Sequence, residues 1–205
     1  ETQDHRPHPE GHRMNRTARV IAIIVLQTFA LLAMVGMKQW TLTTGTPVTI
    51  ETVPVDPRSL FAGDFARLNY TISTLRLDDL AGDRDFRNNE TIYVLMRKDR
   101  DRWIPVSVHH RRPVAPIDHV AIKGKSRGWT ASRWNPETNS TEAGRIAQVR
   151  YGIETYFVPE GTGHEIERTG PGKKLSVVLA VDRFGNAGVK AFLVNGKPQY
   201  EETLF

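Results

Sequence analysis

The sequence predicts a mainly β protein: one N-terminal transmembrane helix followed by a single β-sandwich- or barrel-like extracytoplasmic domain with short helical turns. Three observations predict it. Val20 to Met37 is an 18-residue run without charge and with only two polar side chains, Gln27 and Thr28. Beyond residue 40 the chain consists of short β-branched and aromatic runs broken by Gly, Pro, Asn and Asp, with no long apolar stripe of helical period. There is no cysteine, so the domain is held by an ordinary core rather than by disulfides.

Taken in chain order, residues 1–13 are polar and aperiodic and are expected to be disordered; residues 1–19 form a cytoplasmic tail. His5, His8 and His12 in that tail lack a scaffold to hold them in ligand geometry, so no metal site is expected there. The apolar run spans about 27 Å as a helix, enough for a bilayer core and longer than a signal-peptide core of roughly 7 to 15 residues. It is read as an anchor, residues 20–38, inserted into the bilayer through Val20 to Met37; a cleaved signal sequence is the alternative. Arg6, Arg13, Arg16 and Arg19 precede it while Lys38 stands alone until Arg58. The positive-inside bias therefore puts the N-terminus in the cytoplasm and residues 39–205 on the extracytoplasmic side. Lys38 and Trp40 suit the headgroup layer at the exit.

Of 28 basic and 23 acidic residues, five and three lie at or before Lys38, leaving 23 against 20 in the domain. That small, interspersed excess does not describe a nucleic-acid-binding face. Strands are expected at residues 47–53, 65–73, 91–97, 103–109, 120–125, 145–151, 175–181 and 188–194. Lys98-Asp-Arg-Asp and Asp182-Arg-Phe-Gly-Asn supply hairpin turns between the third and fourth and between the last two. Residues 75–88 and 161–168 are each expected to hold a helical turn. The polar stretch from Arg127 to Gly144 is expected to be a loop or lid.

Two segments stand out. The first is Asp56-Pro57-Arg58 followed by Gly63-Asp64-Phe65-Ala66-Arg67-Leu68-Asn69-Tyr70. Strand alternation there puts Leu68 and Tyr70 on one face and Asn69 and Thr71 on the other. The second concentrates Tyr151, Gly152, Glu154, Tyr156, Phe157, Glu160 and Gly161 within eleven residues. On these segments the chain resembles the GDYxxLxY proteins of bacteria, with Phe65 in place of the first tyrosine of the signature. The resemblance implies a unit anchored in a bacterial inner membrane, its domain periplasmic, of a kind often associated with polytopic membrane proteins; it implies architecture rather than a reaction.

Asp56, Asp64, Glu154 and Glu160 could meet as acid and base or as a hard-cation site. A purely structural role, with Arg58 and Arg67 pairing the carboxylates to brace loops, is weighted above this. A serine-lysine hydrolase would need Ser59 beside a desolvated Lys123 or Lys125. His109 to Arg112 is expected to be a solvated charge cluster. No phosphate loop, zinc spacing, nucleophile elbow or dinucleotide fingerprint occurs, so no cofactor is expected. The favoured expectation is a non-catalytic accessory subunit whose β-domain binds a protein partner in a membrane complex. A membrane-tethered hydrolase or cation-dependent enzyme, and a structural subunit of a surface assembly, are the alternatives.

Overall fold

A computed structural model describes residues 15–53, 65–135, 139–157 and 175–201. The chain divides into two compact units, Glu1–Lys38 and Gln39–Phe205. The protein is mainly β, with one N-terminal apolar helix and a sheet curled as a half-barrel. The tail residues 1–13 and the helical turn expected at 161–168 lie outside the described residues.

Helix α1 runs Arg16–Thr44. Its stretch of Ile, Leu, Ala and Met favours helix, and its apolar side chains are bare: Leu26 and Phe29 are each 69% exposed. It is the one described helix long and apolar enough to cross a membrane, by length and composition. The helix does not stop at Lys38, where the anchor was expected to end. It continues through Thr41, Thr43 and Thr44, where the hydroxyls of Thr43 and Thr44 bond back to the carbonyls of Gln39 and Trp40. Gly45 then closes the last turn, its amide donating to Thr41 O at 2.9 Å.

In the second unit a five-stranded sheet has the order β13-β12-β11-β1-β3 and a six-stranded sheet the order β4-β9-β8-β6-β7-β5. The first comprises β1 (Thr46–Val53), β3 (Asn69–Tyr70), β11 (Leu175–Val181), β12 (Ala187–Val194) and β13 (Lys197–Glu201). The second comprises β4 (Thr74–Arg76), β5 (Ala81–Gly82), β6 (Asn88–Asp99), β7 (Arg102–His109), β8 (His119–Asn135) and β9 (Ser140–Arg150). Strands β2 (Phe65–Arg67) and β10 (Thr155–Phe157) pair with each other. Period-2 alternation aims Val48 and Ile50 of β1, Ile92, Val94 and Met96 of β6, and Val177 and Leu179 of β11 into one core, each fully buried.

Both expected hairpins are present: Asp99 pairs Arg102 across the β6–β7 turn, and Val181 pairs Ala187 across the β11–β12 turn. Three expectations are corrected. Arg127 to Gly144 is no loop: most of its described residues lie on β8 and β9, which pair there with register shifts at Ser126/Trp129 and Thr130/Ser132. Residues 65–73 are not one strand but β2, β3 and a 3-10 turn at Thr71–Ser73: the chain changes partner, from β10 beside β2, where Leu68 donates to Glu154 O at 2.8 Å, to β1 beside β3. Residues 75–88 hold no helical turn; β4 and β5 occupy part of them, with Leu75, Leu77 and Phe86 buried.

Candidate functional site

Tyr70 lies on β3 of the five-stranded sheet, and Tyr151 follows β9 of the six-stranded sheet. Their phenols cross. Tyr70 donates its hydroxyl to Ile153 O at 2.7 Å, beside Tyr151, and Tyr151 donates to Ile72 O at 2.8 Å, beside Tyr70. Leu68 is buried next to them. The same two segments continue into the β2–β10 ladder, where Arg67 faces Thr155, Ala66 faces Tyr156 and Phe65 faces Phe157. The two sequence segments singled out above thus form one clasp across the two sheets. Burial pushes both tyrosines well above the usual phenol range, with the nearby Glu154 charge adding to the shift. Both therefore stay protonated and remain donors.

The turn that presents Tyr151 is built by Glu154 and Gly152. One Glu154 carboxylate oxygen accepts the Tyr151 amide and the other accepts the Gly152 amide at 2.9 Å. Gly152 has φ +80°, a left-handed conformation that other residues adopt only with strain. Gly124 on β8 makes room for the ring: a Cβ there would stand 2.5 Å from Val149 Cγ1 and 3.2 Å from Tyr151 Cδ1. Glu154 is thus held by the Tyr151 and Gly152 amides; the arginine pairing expected for it rests on Arg58 and on the Arg67 side chain, which lie outside the described residues.

Asp56, Pro57, Arg58, Ser59, Gly63, Asp64, Glu160 and Gly161 lie outside the described residues. The expected convergence of carboxylates is therefore represented by Glu154 alone. Lys123 and Lys125 are both exposed rather than desolvated, and Lys125 Nζ donates to Thr91 Oγ1 at 2.8 Å. Among the described residues, no group of three or more His, Cys, Asp or Glu side chains is placed to hold a metal ion.

Two features were not foreseen. An open groove of about 580 Å³ lies beside the clasp, lined in part by Lys123, Lys125, Arg150, Gly152, Glu154 and Asn186. At the end of β7, His110 is not a solvated charge. Its Nδ1 lies 2.6 Å from Glu90 Oε1 and its Nε2 3.1 Å from Asp85 Oδ1. Its backbone amide donates to Asp83, and its ring packs 4.8 Å from that of Phe86. The hydrogen bond to Glu90 raises the His110 pKa, opposed by burial and reinforced by Asp85.

No curated protein and no solved structure matches this chain. The sequence profile described as "GDYXXLXY protein" matches residues 27–192, from the apolar helix to the last core strand but one. That span takes in both halves of the clasp, Leu68 and Tyr70 on one side and Tyr151 to Glu154 on the other, and on that match the chain belongs to the GDYXXLXY family.

Proposed function

We propose that this protein is a non-catalytic accessory subunit, anchored in the inner membrane by α1 with its N-terminus cytoplasmic, whose β-domain faces the periplasm and binds a protein partner in a membrane complex. The observation that carries this reading is how the polar groups of the clasp are spent. The side chains of Tyr70, Tyr151 and Glu154 make their described hydrogen bonds to backbone groups, where they brace the junction of the two sheets. A catalytic acid, base or nucleophile has to be presented to a substrate instead. The bare apolar surface of α1 and the arginines at its start, Arg16 and Arg19, fit an anchor with a cytoplasmic N-terminus. Tethering then gives the domain a high effective concentration at the membrane, so a modest interface suffices for occupancy.

The test is a mild-detergent pull-down of the full chain from its native membrane, alongside a chimera that carries the same helix on an unrelated β-domain. Recovery of a stoichiometric membrane protein by the full chain and not by the chimera is the expected result. If the full chain comes down alone, or the chimera recovers the same protein, the reading fails.

A further inference from the structure

We propose that the groove beside the clasp binds an extended acidic stretch of protein, with Lys123, Lys125 and Arg150 receiving its carboxylates. The proposal rests on the accessory-subunit reading and names the chemistry of the partner segment. Lys125 on β8 stands directly opposite Arg150 on β9, and Lys123 lies two residues along the same strand on the same exposed face. Like charges directly opposite each other in a ladder are destabilising. Among the described residues no carboxylate pairs with Lys123, Lys125 or Arg150, and the Lys125 ammonium meets only neutral oxygens, Thr91 Oγ1 at 2.8 Å and Asn89 O at 3.3 Å. Glu154 has both oxygens turned onto the Tyr151 and Gly152 amides. Three cations without a described carboxylate partner are therefore gathered on one wall.

Spacing decides the kind of anion. Side chains two apart on a strand are separated by roughly 6.6 Å, the same interval that separates alternate side chains of an extended peptide. A chain with Asp or Glu at alternate positions can meet Lys123 and Lys125 in step, while Arg150 across the ladder takes a carboxylate in bidentate fashion. The groove is open to solvent rather than enclosed, as a site for a segment of another chain has to be. Asn186 of the β11–β12 turn lines it as well, and Gly152 lines it without a side chain.

The experiment uses the full chain in nanodiscs of zwitterionic lipid and a fluorescein-labelled hexaglutamate peptide, followed by anisotropy. The expected result is saturable, salt-sensitive binding that weakens at least about fivefold in Lys123→Gln and in Arg150→Gln and is unchanged in Arg97→Gln, an exposed cation elsewhere on β6. Thermal melts establish that each variant is folded. Absence of saturable binding, or equal binding by all variants, overturns the proposal. So does displacement of the peptide by pyrophosphate at far lower concentration than by unlabelled hexaglutamate, which would make the groove a site for a small polyanion. A membrane partner recovered in the pull-down together with no hexaglutamate binding would refute the groove while leaving the accessory-subunit reading intact. Groove-dependent binding with no recovered partner would do the reverse.

Discussion

His110 has a carboxylate oxygen against each ring nitrogen, Glu90 at 2.6 Å and Asp85 at 3.1 Å. A neutral imidazole donates from only one nitrogen, so both contacts are favourable only in the imidazolium form. The groups facing it are Glu90, Asp85 and Asp83, with Phe86 against the ring and Arg87 near the two partner carboxylates. The folded pKa is raised, so the stabilisation is fully present below the unfolded value of about 6.5 and is lost as pH rises through the folded value. Thermal unfolding followed from about pH 5 to about pH 9 should therefore show the wild type losing stability above about pH 6.5, and His110→Gln should lack that component. Parallel profiles for the two proteins would show that the contacts do not contribute. None of this was legible in the sequence. His109 to Arg112 looks like a surface run of charge, and the carboxylate partners of His110 lie 20 and 25 residues away, Glu90 at the start of β6 and Asp85 in the segment before it.

The elements meet at turns whose side chains do more than reverse the chain. In the β11–β12 hairpin, one Asp182 oxygen accepts the amides of Phe184 and Asn186, and the other accepts Asn186 Nδ2 and the Thr41 hydroxyl at the end of α1. Burial pushes the Asp182 pKa up, but these hydrogen bonds outweigh it and leave it below the usual carboxylate range. Asp182→Ala removes an acceptor that serves four donors and should lower the unfolding free energy by about 1 to 3 kcal/mol. Urea denaturation of the full chain measures this, and a change under about 0.5 kcal/mol would mean that water replaces the carboxylate without loss. The sequence announced this hairpin through its Asp, Gly and Asn, but not the tie to Thr41. It also hid the length of β8. Arg127, Thr130, Ala131 and Ser132 are all exposed, so no apolar alternation marks the strand there, and the backbone ladder with its two register shifts carries it. Where one face is buried, as in β1, β6 and β11, the pattern was plain.

For the molecule as a whole, the apolar helix, the β class and the core strands were legible because burial writes a period into the sequence. The clasp was half legible: alternation put Leu68 and Tyr70 on one face, and both are buried. What alternation could not say is that the Tyr70 and Tyr151 phenols would each reach the backbone beside the other, since hydroxyl direction leaves no periodic trace. The aromatic and acidic residues of the two segments marked a working or bracing end; Tyr70, Tyr151 and Glu154 serve as braces, and the surface proposed to meet a partner is the cationic wall next to them. The central claim is therefore that Tyr70 and Tyr151 hold two sheets together. Its most direct test is thermal and urea unfolding of the full chain with Tyr70→Phe, Tyr151→Phe and the double variant. Each single change removes one donor from a buried carbonyl and should cost about 1 to 3 kcal/mol, a few degrees in Tm. The double variant should depart from additivity by at least about 0.5 kcal/mol because the two bonds share one junction. Two phenylalanine variants as stable as the wild type would contradict the claim and return both hydroxyls to the list of groups available for chemistry.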